Sequence, residues 1–248
     1  MNNPIILLTD FGLQDAYVGV LKGVIAKINP KICIIDLCHF IEPQNIQHGR
    51  TILIDNFNYF PENSVFCCVI DPGVGSNRKP LVIQYQNKLF IGPDNGLLND
   101  FANDGNIWEL PLKNNISNTF HGRDIFAPWA ARLVSNRNLL DQFKSLSISD
   151  IHSSSFRDIQ INDQWQNIDI LYPDHFGNLV TNGICKEGKL EVKLNEKDLI
   201  IAENYSEMPP NNLVAIKGST NRLEISIKNG NAASATDLVP YAMKARIV

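Results

Sequence analysis

The sequence predicts an α/β protein, with an N-terminal α/β domain built on a mainly parallel sheet and a smaller C-terminal antiparallel β-barrel-like domain. In the first half, three apolar runs alternate with two stretches of helical spacing, an order typical of parallel sheets. In the second half, short apolar runs are separated by turn residues, as in antiparallel β structure. Hydrophobic residues make up 44% of the chain, which is enough for a sizeable buried core.

Periodicity predicts the elements of the first domain in order. The apolar runs that predict buried strands are residues 5–8, 32–37 and 65–70. The stretches that predict helices, each ended by a proline, are residues 15–29 and 46–60. A hairpin at residues 81–85 and 88–91 and a helix at residues 125–134 complete the domain.

The character of the sequence changes near Ser145, where a stretch rich in Ser, Asp and Ile begins. We predict a boundary between about 145 and 165, with domains at residues 1–155 and 156–248. The strands predicted in the second domain are residues 168–172, 190–194, 199–202, 213–216 and 223–227.

The charge balance excludes two classes of protein. With 22 Lys and Arg against 26 Asp and Glu, the net charge of −4 argues against a strongly basic protein that binds nucleic acid or a membrane surface. No apolar stretch is long enough to span a bilayer, and the N-terminus lacks the basic region of a signal peptide. The five cysteines are odd in number and several lie in apolar runs, so we expect reduced core residues in a cytoplasmic protein.

Acidic residues mark the carboxyl ends of the three predicted N-terminal strands: Asp10, Asp36 and Asp71. Open α/β sheets place their ligands at this edge, where an acid commonly accepts hydrogen bonds from a ribose diol. Arg78 lies seven residues after Asp71, and His121 lies in a second glycine-containing turn. Because a carboxylate, a guanidinium and an imidazole around one point can hold and polarise a water molecule, we expect a catalytic site here.

Simpler explanations exist for the same residues. Acids in glycine-containing loops are often helix caps or turn formers, and Arg78 alone is typical of surface charge. His121 also fits a partly buried histidine bonded to Asp124. A further alternative is a divalent metal site formed by Asp10, Asp36, Asp71 and His121. Since no His-x-His, His-x-x-x-His or Asp-x-Asp pair supplies two ligands from one element, the metal-free interpretation is favoured.

The second half contains one run, residues 174–182, that is dense in residues forming turns and hydrogen bonds. Phe176 is a candidate for stacking on a nucleobase, and the amide of Asn178 is a candidate for reading an adenine edge. A β-turn with an aromatic residue packed over it is the simpler alternative for this run.

Six ordered motifs together resemble one enzyme family, the S-adenosylmethionine hydroxide adenosyltransferases. These enzymes are also called S-adenosylmethionine hydrolases (adenosine-forming) and are relatives of the fluorinases and chlorinases. The motifs are TDFG (9–12) with Asp15 and YVG (17–19), DPGVGS (71–76) with Arg78, GPDNG (92–96), TFHGRD (119–124), FGNL (176–179) with TN (181–182), and GS (218–219). The resemblance extends from about residue 5 to the C-terminus.

The resemblance implies hydrolysis of S-adenosyl-L-methionine to adenosine and L-methionine, with that molecule as substrate and with no cofactor. It implies a homotrimer, in which each active site lies between one subunit's N-terminal domain and a neighbour's C-terminal domain. The water-positioning residues are implied at Asp71, Arg78 and His121. The implied substrate-binding residues are Asp10 for the ribose, Asp15, Asp174 and Ser219 for the methionine end, Phe176, Asn178 and the backbone near Ala232 for adenine, and also Phe120 and Glu224.

Two positions favour the hydrolase over the halogenases. Asp71 stands where fluorinases and chlorinases carry a tyrosine, and Gly122 stands where fluorinases carry a halide-binding serine. An anionic carboxylate beside the nucleophile site repels halide and favours water. The alternatives are a halide adenosyltransferase on the same fold and a non-catalytic protein that binds adenosine or S-adenosylmethionine.

Overall fold

A computed structural model describes residues 3–112, 115–235 and 242–248 of the chain. The chain divides into two units, Met1–Phe156 and Arg157–Val248. The first unit holds one sheet with helices on both faces, and the second holds two smaller sheets. Met1 and Asn2, which contribute to the prediction that no signal peptide is present, lie outside the described residues.

The predicted β-α-β-α-β order of the first unit is confirmed, and so is the hairpin that follows it. The strands are β1 (Ile5–Thr9), β2 (Ile34–Cys38), β3 (Val65–Val69), β4 (Pro80–Tyr85), β5 (Lys88–Pro93), β6 (Asn106–Glu109) and β7 (Lys144–Leu146). The helices are α1 (Tyr17–Ile28), α2 (Ile46–Asn56), α3 (Asn99–Ala102) and α4 (Ala127–Ser135). Short 3-10 turns lie at Phe57–Tyr59, Arg137–Gln142 and Ile148–Asp150, and a π-type turn at Gly122–Phe126 leads into α4.

The sheet of the first unit is mixed, which corrects the prediction of a mainly parallel sheet. Among the described residues its strand order is β2-β1-β3-β5-β4-β6-β7. The strands β2, β1, β3 and β5 are parallel neighbours, whereas β4, β6 and β7 continue the sheet with antiparallel pairings. The direction reverses because only two residues, Gln86 and Asn87, join β4 to β5, and so short a connection can join only antiparallel strands.

Both faces of β1, β3 and β5 are buried, which explains their continuous apolar runs. On β1, Ile5 and Leu7 pack into the core that contains α1 and α4, while Ile6 and Leu8 pack into the core that contains α2. The registers of β1 and β3 end together at Thr9 and Val69, so the residues that follow meet at one edge of the sheet.

Asp36 lies inside β2, so the prediction that it ends its strand is wrong. Its carboxylate accepts a hydrogen bond from the Lys22 Nζ at 2.6 Å and lies 3.2 Å from the His39 Nε2. Burial raises the pKa of Asp36, but the hydrogen bonds from Lys22 and His39 outweigh this effect and hold the pKa below its usual range. Asp36 therefore belongs to the surface of the sheet edge and not to the ligand site.

The second unit consists mainly of short strands. They are β8 (Ile159–Gln160), β9 (Gln166–Ile168), β10 (Ile170–Pro173), β11 (Leu179–Ile184), β12 (Leu190–Leu194), β13 (Lys197–Asp198), β14 (Ile200–Ala202), β15 (Leu213–Lys217), β16 (Arg222–Ile227) and β17 (Met243–Ile247). A single-turn helix, α5, spans Ala232–Ala235.

These strands belong to two sheets, and a closed barrel is not among the features that the described residues show. One sheet has the order β10-β11-β16-β15-β14 with β8 beside β11, and the other has the order β13-β12-β17-β9. Most pairings are antiparallel, but β8 with β11 and β14 with β15 are parallel.

The strand predicted at residues 168–172 is two strands in different sheets, because the chain changes sheet at Asp169. The side chain of Asn182 stabilises this change. Its Oδ1 accepts from the Asp169 backbone N–H at 2.8 Å, and its Nδ2 donates to the Asp169 carboxylate at 3.0 Å. Asn182 thus satisfies the polar groups of Asp169 where the chain leaves one sheet.

All five cysteines are free, and Cys67, Cys68 and Cys185 are buried. Burial raises the pKa of Cys67 to about 12, which makes its thiol unreactive. Across the described ranges, none of the helices has the length and apolar character needed to cross a membrane.

A buried ion pair joins the two helices that flank β3 and β5 on one face. The Arg50 guanidinium of α2 donates to both oxygens of Asp100 in α3, from Nε at 2.6 Å and from Nη2 at 2.5 Å. The Arg50 side chain is buried, whereas the Asp100 carboxylate is partly exposed. Such bidentate pairs are the strong form of the arginine–carboxylate contact.

We expect Asp100→Asn to lower the free energy of unfolding by about 2 kcal/mol, because it removes a carboxylate that accepts two hydrogen bonds from a buried guanidinium; partial exposure of Asp100 reduces the effect. Urea unfolding of the variant and the parent protein measures this difference. Asp104→Asn is the matched control, since Asp104 is exposed, and its effect should stay within about 0.5 kcal/mol. Equal losses in the two variants would contradict the role of the pair.

Candidate active site

A pocket of about 380 Å³ lies where β1 and β3 end. It is lined by Asp10, Phe11, Tyr17, Pro43, Gln44, Val69, Asp71, Pro72, Val74, Thr119, Phe120, His121 and Gly122. Its walls therefore come from the loops after β1, β2 and β3 and from the turn before α4. Carboxyl ends of parallel strands are where open sheets bind ligands.

Asp71, Arg78 and His121 are in direct contact in the first unit. The Arg78 Nε donates to both oxygens of the Asp71 carboxylate, at 2.9 and 3.1 Å, and its Nη2 also donates to Asp71. The same Nη2 lies 2.7 Å from the Nδ1 of His121. The Asp71 and Arg78 side chains are both buried. A single guanidinium thus joins the carboxylate to the imidazole.

The turn between Asp71 and Arg78 is shaped by a glycine. Gly75 has a φ of +80°, and a Cβ at this position would lie 2.4 Å from the backbone oxygen of Asn118. Only glycine adopts this backbone conformation and this close approach without strain. The turn after β3 therefore packs against the loop that leads to His121.

The contact with Arg78 fixes the tautomer of His121. A guanidinium has donors only, so the Nδ1 of His121 must accept this hydrogen bond and its proton must be on Nε2. Burial and the Arg78 charge hold the pKa of His121 below its usual value of 6.5, while Asp71 and Asp124 oppose this shift. At neutral pH the residue is a neutral imidazole that offers an N–H donor.

Asp124 supports the His121 turn from behind and does not bond to the imidazole. Its carboxylate accepts from the Arg123 guanidinium at 2.7 and 2.9 Å and from the Ser117 backbone N–H at 2.9 Å. These bonds hold the pKa of Asp124 below its usual range. Of the two sequence interpretations of His121, the contact found is the one with Arg78.

Asp10 ties two walls of the pocket together. Its Oδ2 accepts a hydrogen bond from the Gln44 backbone N–H at 2.8 Å, which links the loop after β1 to the loop after β2. The Gly12 N–H donates to the His39 carbonyl at 2.7 Å and strengthens this link. Burial raises the pKa of Asp10, the Gln44 bond opposes the shift, and the nearby Asp71 charge adds to it.

Three aromatic rings form one wall of the same pocket. Phe11, Tyr17 and Phe120 meet with ring centroids 5.3 to 6.1 Å apart, in tilted and edge-to-face arrangements. The guanidinium of Arg123 lies over the Phe120 ring on its other side. Phe11 and Tyr17 are wall residues that the sequence analysis did not single out as site residues.

A second, wider depression of about 890 Å³ lies in the second unit. It is lined by Asp174, Phe176, Asn178, Glu203, Asn204, Tyr205, Ser206, Ile216, Lys217, Gly218, Ser219, Glu224, Ile227, Lys228, Asn229 and Gly230. Five of the substrate-binding residues predicted from the sequence are thus brought together: Asp174, Phe176, Asn178, Ser219 and Glu224.

Asp174 organises the turn that presents Phe176. Its carboxylate accepts from the backbone N–H groups of Phe176 and Asn178 and from the Asn178 Nδ2, each at 2.8 Å. Phe176 is held at the tip with 75% of its surface exposed. The side-chain amide of the buried Asn178 therefore donates one hydrogen bond within the protein.

Tyr205 is a second exposed ring of this depression that sequence reasoning missed. Its hydroxyl donates to Glu224 at 3.3 Å, and burial together with the Glu224 charge raises its pKa. The signal in the sequence was weak, because the surrounding residues, 203–207, show neither strand nor helix spacing.

Three of the predicted site residues line neither cavity: Arg78, Asp15 and Ala232. Asp15 is exposed just before α1, and Ala232 is buried at the start of α5. The neighbouring Ala233 N–H donates to the Gly177 carbonyl at 3.0 Å, so α5 supports the Phe176 turn from beneath. Among the described residues, no group of three or more His, Cys, Asp or Glu is arranged to hold a metal ion.

Comparisons with known proteins agree across the whole chain. The family model described as SAM hydroxide adenosyltransferase N-terminal domain matches residues 5–143, and the corresponding C-terminal domain model matches residues 168–242. An (R)-S-adenosyl-L-methionine hydrolase of Salinispora arenicola is 30% identical, over 94% of this chain and 93% of its own. A crystal structure of an uncharacterised conserved protein from Thermotoga maritima has a TM-score of 0.84 and 31% identity, over 97% of this chain and 98% of its own. A fluorinase of Actinopolyspora mzabensis is 28% identical but matches only 39% of this chain and 40% of its own.

The contact between Arg78 and His121 predicts opposite responses in two variants. In Arg78→Met the pKa of His121 should rise, because the cation is lost and the Asp71 and Asp124 carboxylates remain. In Asp71→Asn it should fall further, because the carboxylate that favours the imidazolium is lost. NMR titration of the His121 ring proton measures both shifts against the parent protein. Shifts of the same sign in the two variants would contradict the arrangement.

Proposed function

The chain belongs to the SAM hydroxide adenosyltransferase family, and from this premise we propose that it hydrolyses S-adenosyl-L-methionine to adenosine and L-methionine. The relatives that match nearly its full length are named for the (R) sulfonium form, and we propose the same form as its substrate. The observation that carries the proposal is the contact of Asp71, Arg78 and His121 beside a pocket at the strand ends.

The reaction needs neither a general acid nor a Lewis acid at the leaving group. The oxygen of water forms a bond to C5′ as the C5′–S bond breaks, and the bonding electron pair stays on sulfur. Methionine leaves as a neutral thioether. One proton of the attacking water stays on the oxygen as the 5′ hydroxyl of adenosine, and the other passes through Asp71 to solvent. The main task is to align a water molecule with the C5′–S bond, and positioning of this kind can supply about 7–11 kcal/mol in favourable cases.

The hydrogen bonds support a division of labour among the three residues. Asp71 is the acceptor that aligns the water and draws its proton. Arg78 donates to both of its oxygens, and each carboxylate oxygen has a second lone pair that can accept from the water. His121 donates from Nε2 to the oxygen of the same water, since its Nδ1 is engaged by Arg78. Arg78 holds both partners in place.

The charge and surface of the pocket suit a sulfonium substrate. Two carboxylates, Asp10 and Asp71, line it, and an aromatic wall stands beside them. A cation over such rings gains about 0.5–2 kcal/mol, an interaction that the neutral thioether product loses. We assign Asp10 to the ribose hydroxyls, and Phe176 with Tyr205 to the adenine ring, because both rings are exposed and can stack on a base.

Water is a better nucleophile than halide for this site. The Asp71 carboxylate repels an anion at the position where the nucleophile must stand. Gly122 stands where fluorinases carry a halide-binding serine, and a larger side chain would be crowded here. A Cβ at this position would lie 3.3 Å from the Leu21 Cδ2 and 3.4 Å from the Phe120 ring. The partial match to the fluorinase agrees with this preference.

We further propose that the reaction needs no metal or cofactor, because a neutral leaving group requires no Lewis acid. We place the enzyme in the cytoplasm, where a reducing environment suits five free cysteines.

Incubation of the purified protein with S-adenosyl-L-methionine, with chromatographic identification of products, tests the function. We expect adenosine and methionine as products, in amounts that neither 0.1 M chloride nor a chelator changes. We expect adenosine to form faster from the (R) than from the (S) form of the substrate. Formation of 5′-chloroadenosine would identify a halide adenosyltransferase, and bound substrate without turnover would identify a binding protein. Loss of activity in chelator that a metal restores would contradict the metal-free mechanism.

Asp71→Asn separates catalysis from binding. The amide keeps the shape of the side chain but lacks the charge that draws the proton of water. We expect the single-turnover rate to fall by about tenfold to a hundredfold, while substrate affinity changes little. Asp10→Ala should do the reverse and mainly weaken binding, because it removes the partner of the ribose hydroxyls. A variant at Asp71 that loses binding but keeps the parent rate would make Asp71 a binding residue.

We also propose a homotrimer in solution. The support is the family resemblance together with two apolar side chains, Leu13 and Phe40, which are more than half exposed in the loops after β1 and β2. Analytical ultracentrifugation at micromolar concentration should give the mass of three chains. A fully active species with the mass of one chain would contradict the assembly.

A further inference from the structure

We propose that Asn95 is a positioning residue that sets the geometry of the Asp71–Arg78 pair. This inference rests on the proposed function, because the pair matters only if it aligns the attacking water. Asn95 lies in the GPDNG turn at the end of β5, residues 92–96, and does not line the pocket. None of the roles described so far uses this turn.

The GPDNG turn bonds to both ends of the segment 71–78, which carries Asp71 and Arg78. The Asn95 Nδ2 donates to the carbonyl of Ile70, the residue immediately before Asp71, at 2.9 Å. The backbone N–H of Asp94 donates to the carbonyl of Lys79, the residue immediately after Arg78, also at 2.9 Å. The segment that carries the ion pair is therefore fixed at its first and last peptide by two consecutive residues of one turn.

The Asn95 amide takes the place of an inter-strand backbone hydrogen bond. The parallel register of β3 and β5 ends at Cys67 and Ile91, three residues before Ile70. Ile70 is fully buried, and a buried carbonyl without a partner costs free energy. The Asn95 side chain supplies a donor to this carbonyl beyond the last paired residues of β3 and β5. The peptide that leads into Asp71 is thus held by a side chain.

The orientation of the Asn95 amide is itself determined by the turn. Its Oδ1 accepts from the Leu97 backbone N–H at 3.2 Å, which leaves Nδ2 directed at Ile70. Gly96, with a φ of +98°, allows the chain to turn at this point. The carboxylate of the neighbouring Asp94 accepts from the His152 backbone N–H at 2.8 Å, so the segment around His152 also supports the turn.

Loss of this contact should affect the rate more than the binding of substrate. The carboxylate of Asp71 must face the water while its other side meets Arg78, and a displacement of about 1 Å in such a group can cost about a hundredfold in rate. The groups assigned to the nucleoside, Asp10 and Phe176, lie in other loops and do not contact Asn95 in any hydrogen bond described above.

Asn95→Asp and Asn99→Asp form a matched pair of variants. The first keeps the acceptor for the Leu97 N–H and removes the donor to Ile70. The second makes the same chemical change four residues later and removes only the bond from the Asn99 Nδ2 to the His152 carbonyl. We expect Asn95→Asp to lower the single-turnover rate at least about tenfold with substrate affinity within about twofold, and Asn99→Asp to keep both values.

Asn95→Ser provides a second variant if Asn95→Asp does not fold, since its hydroxyl keeps a local acceptor but is too short to reach Ile70. A parent-like rate in the folded Asn95 variant, or an equal loss in Asn99→Asp, would overturn the proposal. A loss of affinity that accounts for the whole effect would overturn it as well.

A measurement without substrate separates this inference from the proposed function. The Arg78 Nε proton, which is hydrogen-bonded to Asp71, should exchange slowly with water in the parent protein and in Asn99→Asp. In the Asn95 variant we expect its exchange, followed by NMR, to be at least about tenfold faster. If the parent releases no adenosine, the proposed function is wrong, and unchanged exchange in the Asn95 variant would overturn the positioning role independently.

Discussion

The buried guanidinium of Arg78 is the constraint on which the candidate site depends. It is permanently charged and only donates hydrogen bonds, so its burial requires acceptors on fixed sides. Asp71 and the Nδ1 of His121 supply them. From this follow the neutral imidazole, its Nε2 proton and the orientation of the carboxylate. The close approach at Gly75 is the backbone feature that brings the three side chains into contact.

Local patterns in the sequence predict much of this arrangement. Runs that are apolar at every position predict strands with both faces buried, and β1 and β3 are such strands. Asp71 follows one of them and opens a glycine-rich turn, which is enough to predict a side chain at the ligand edge of the sheet. His121 was singled out from residue type and local turn chemistry, and its Nδ1 lies in contact with Arg78.

Features that depend on distant partners were not predictable in the same way. The tautomer of His121 follows from one contact across 43 residues, and the break between β9 and β10 follows from Asn182, thirteen residues away from Asp169. The antiparallel half of the sheet includes β6 and β7, which are too short and too polar for periodicity to reveal. Asn95 belongs to a motif that the resemblance identified, but its bond to Ile70 appears only when β3 and β5 lie side by side.

The direction of the pKa shifts explains how such a site can bind a cation and release neutral products. Burial raises the pKa of Asp10, which means that the surrounding protein disfavours its negative charge. Burial also lowers the pKa of His121, so the imidazole does not supply a compensating positive charge at neutral pH. Asp71 has Arg78 as its counter-charge, whereas the Asp10 carboxylate is held by the backbone N–H of Gln44. On the proposed function, the sulfonium of the substrate would stabilise the Asp10 carboxylate, and its conversion to a thioether would remove that stabilisation. The Asp10 charge would then favour binding of the substrate before the reaction and the departure of methionine after it.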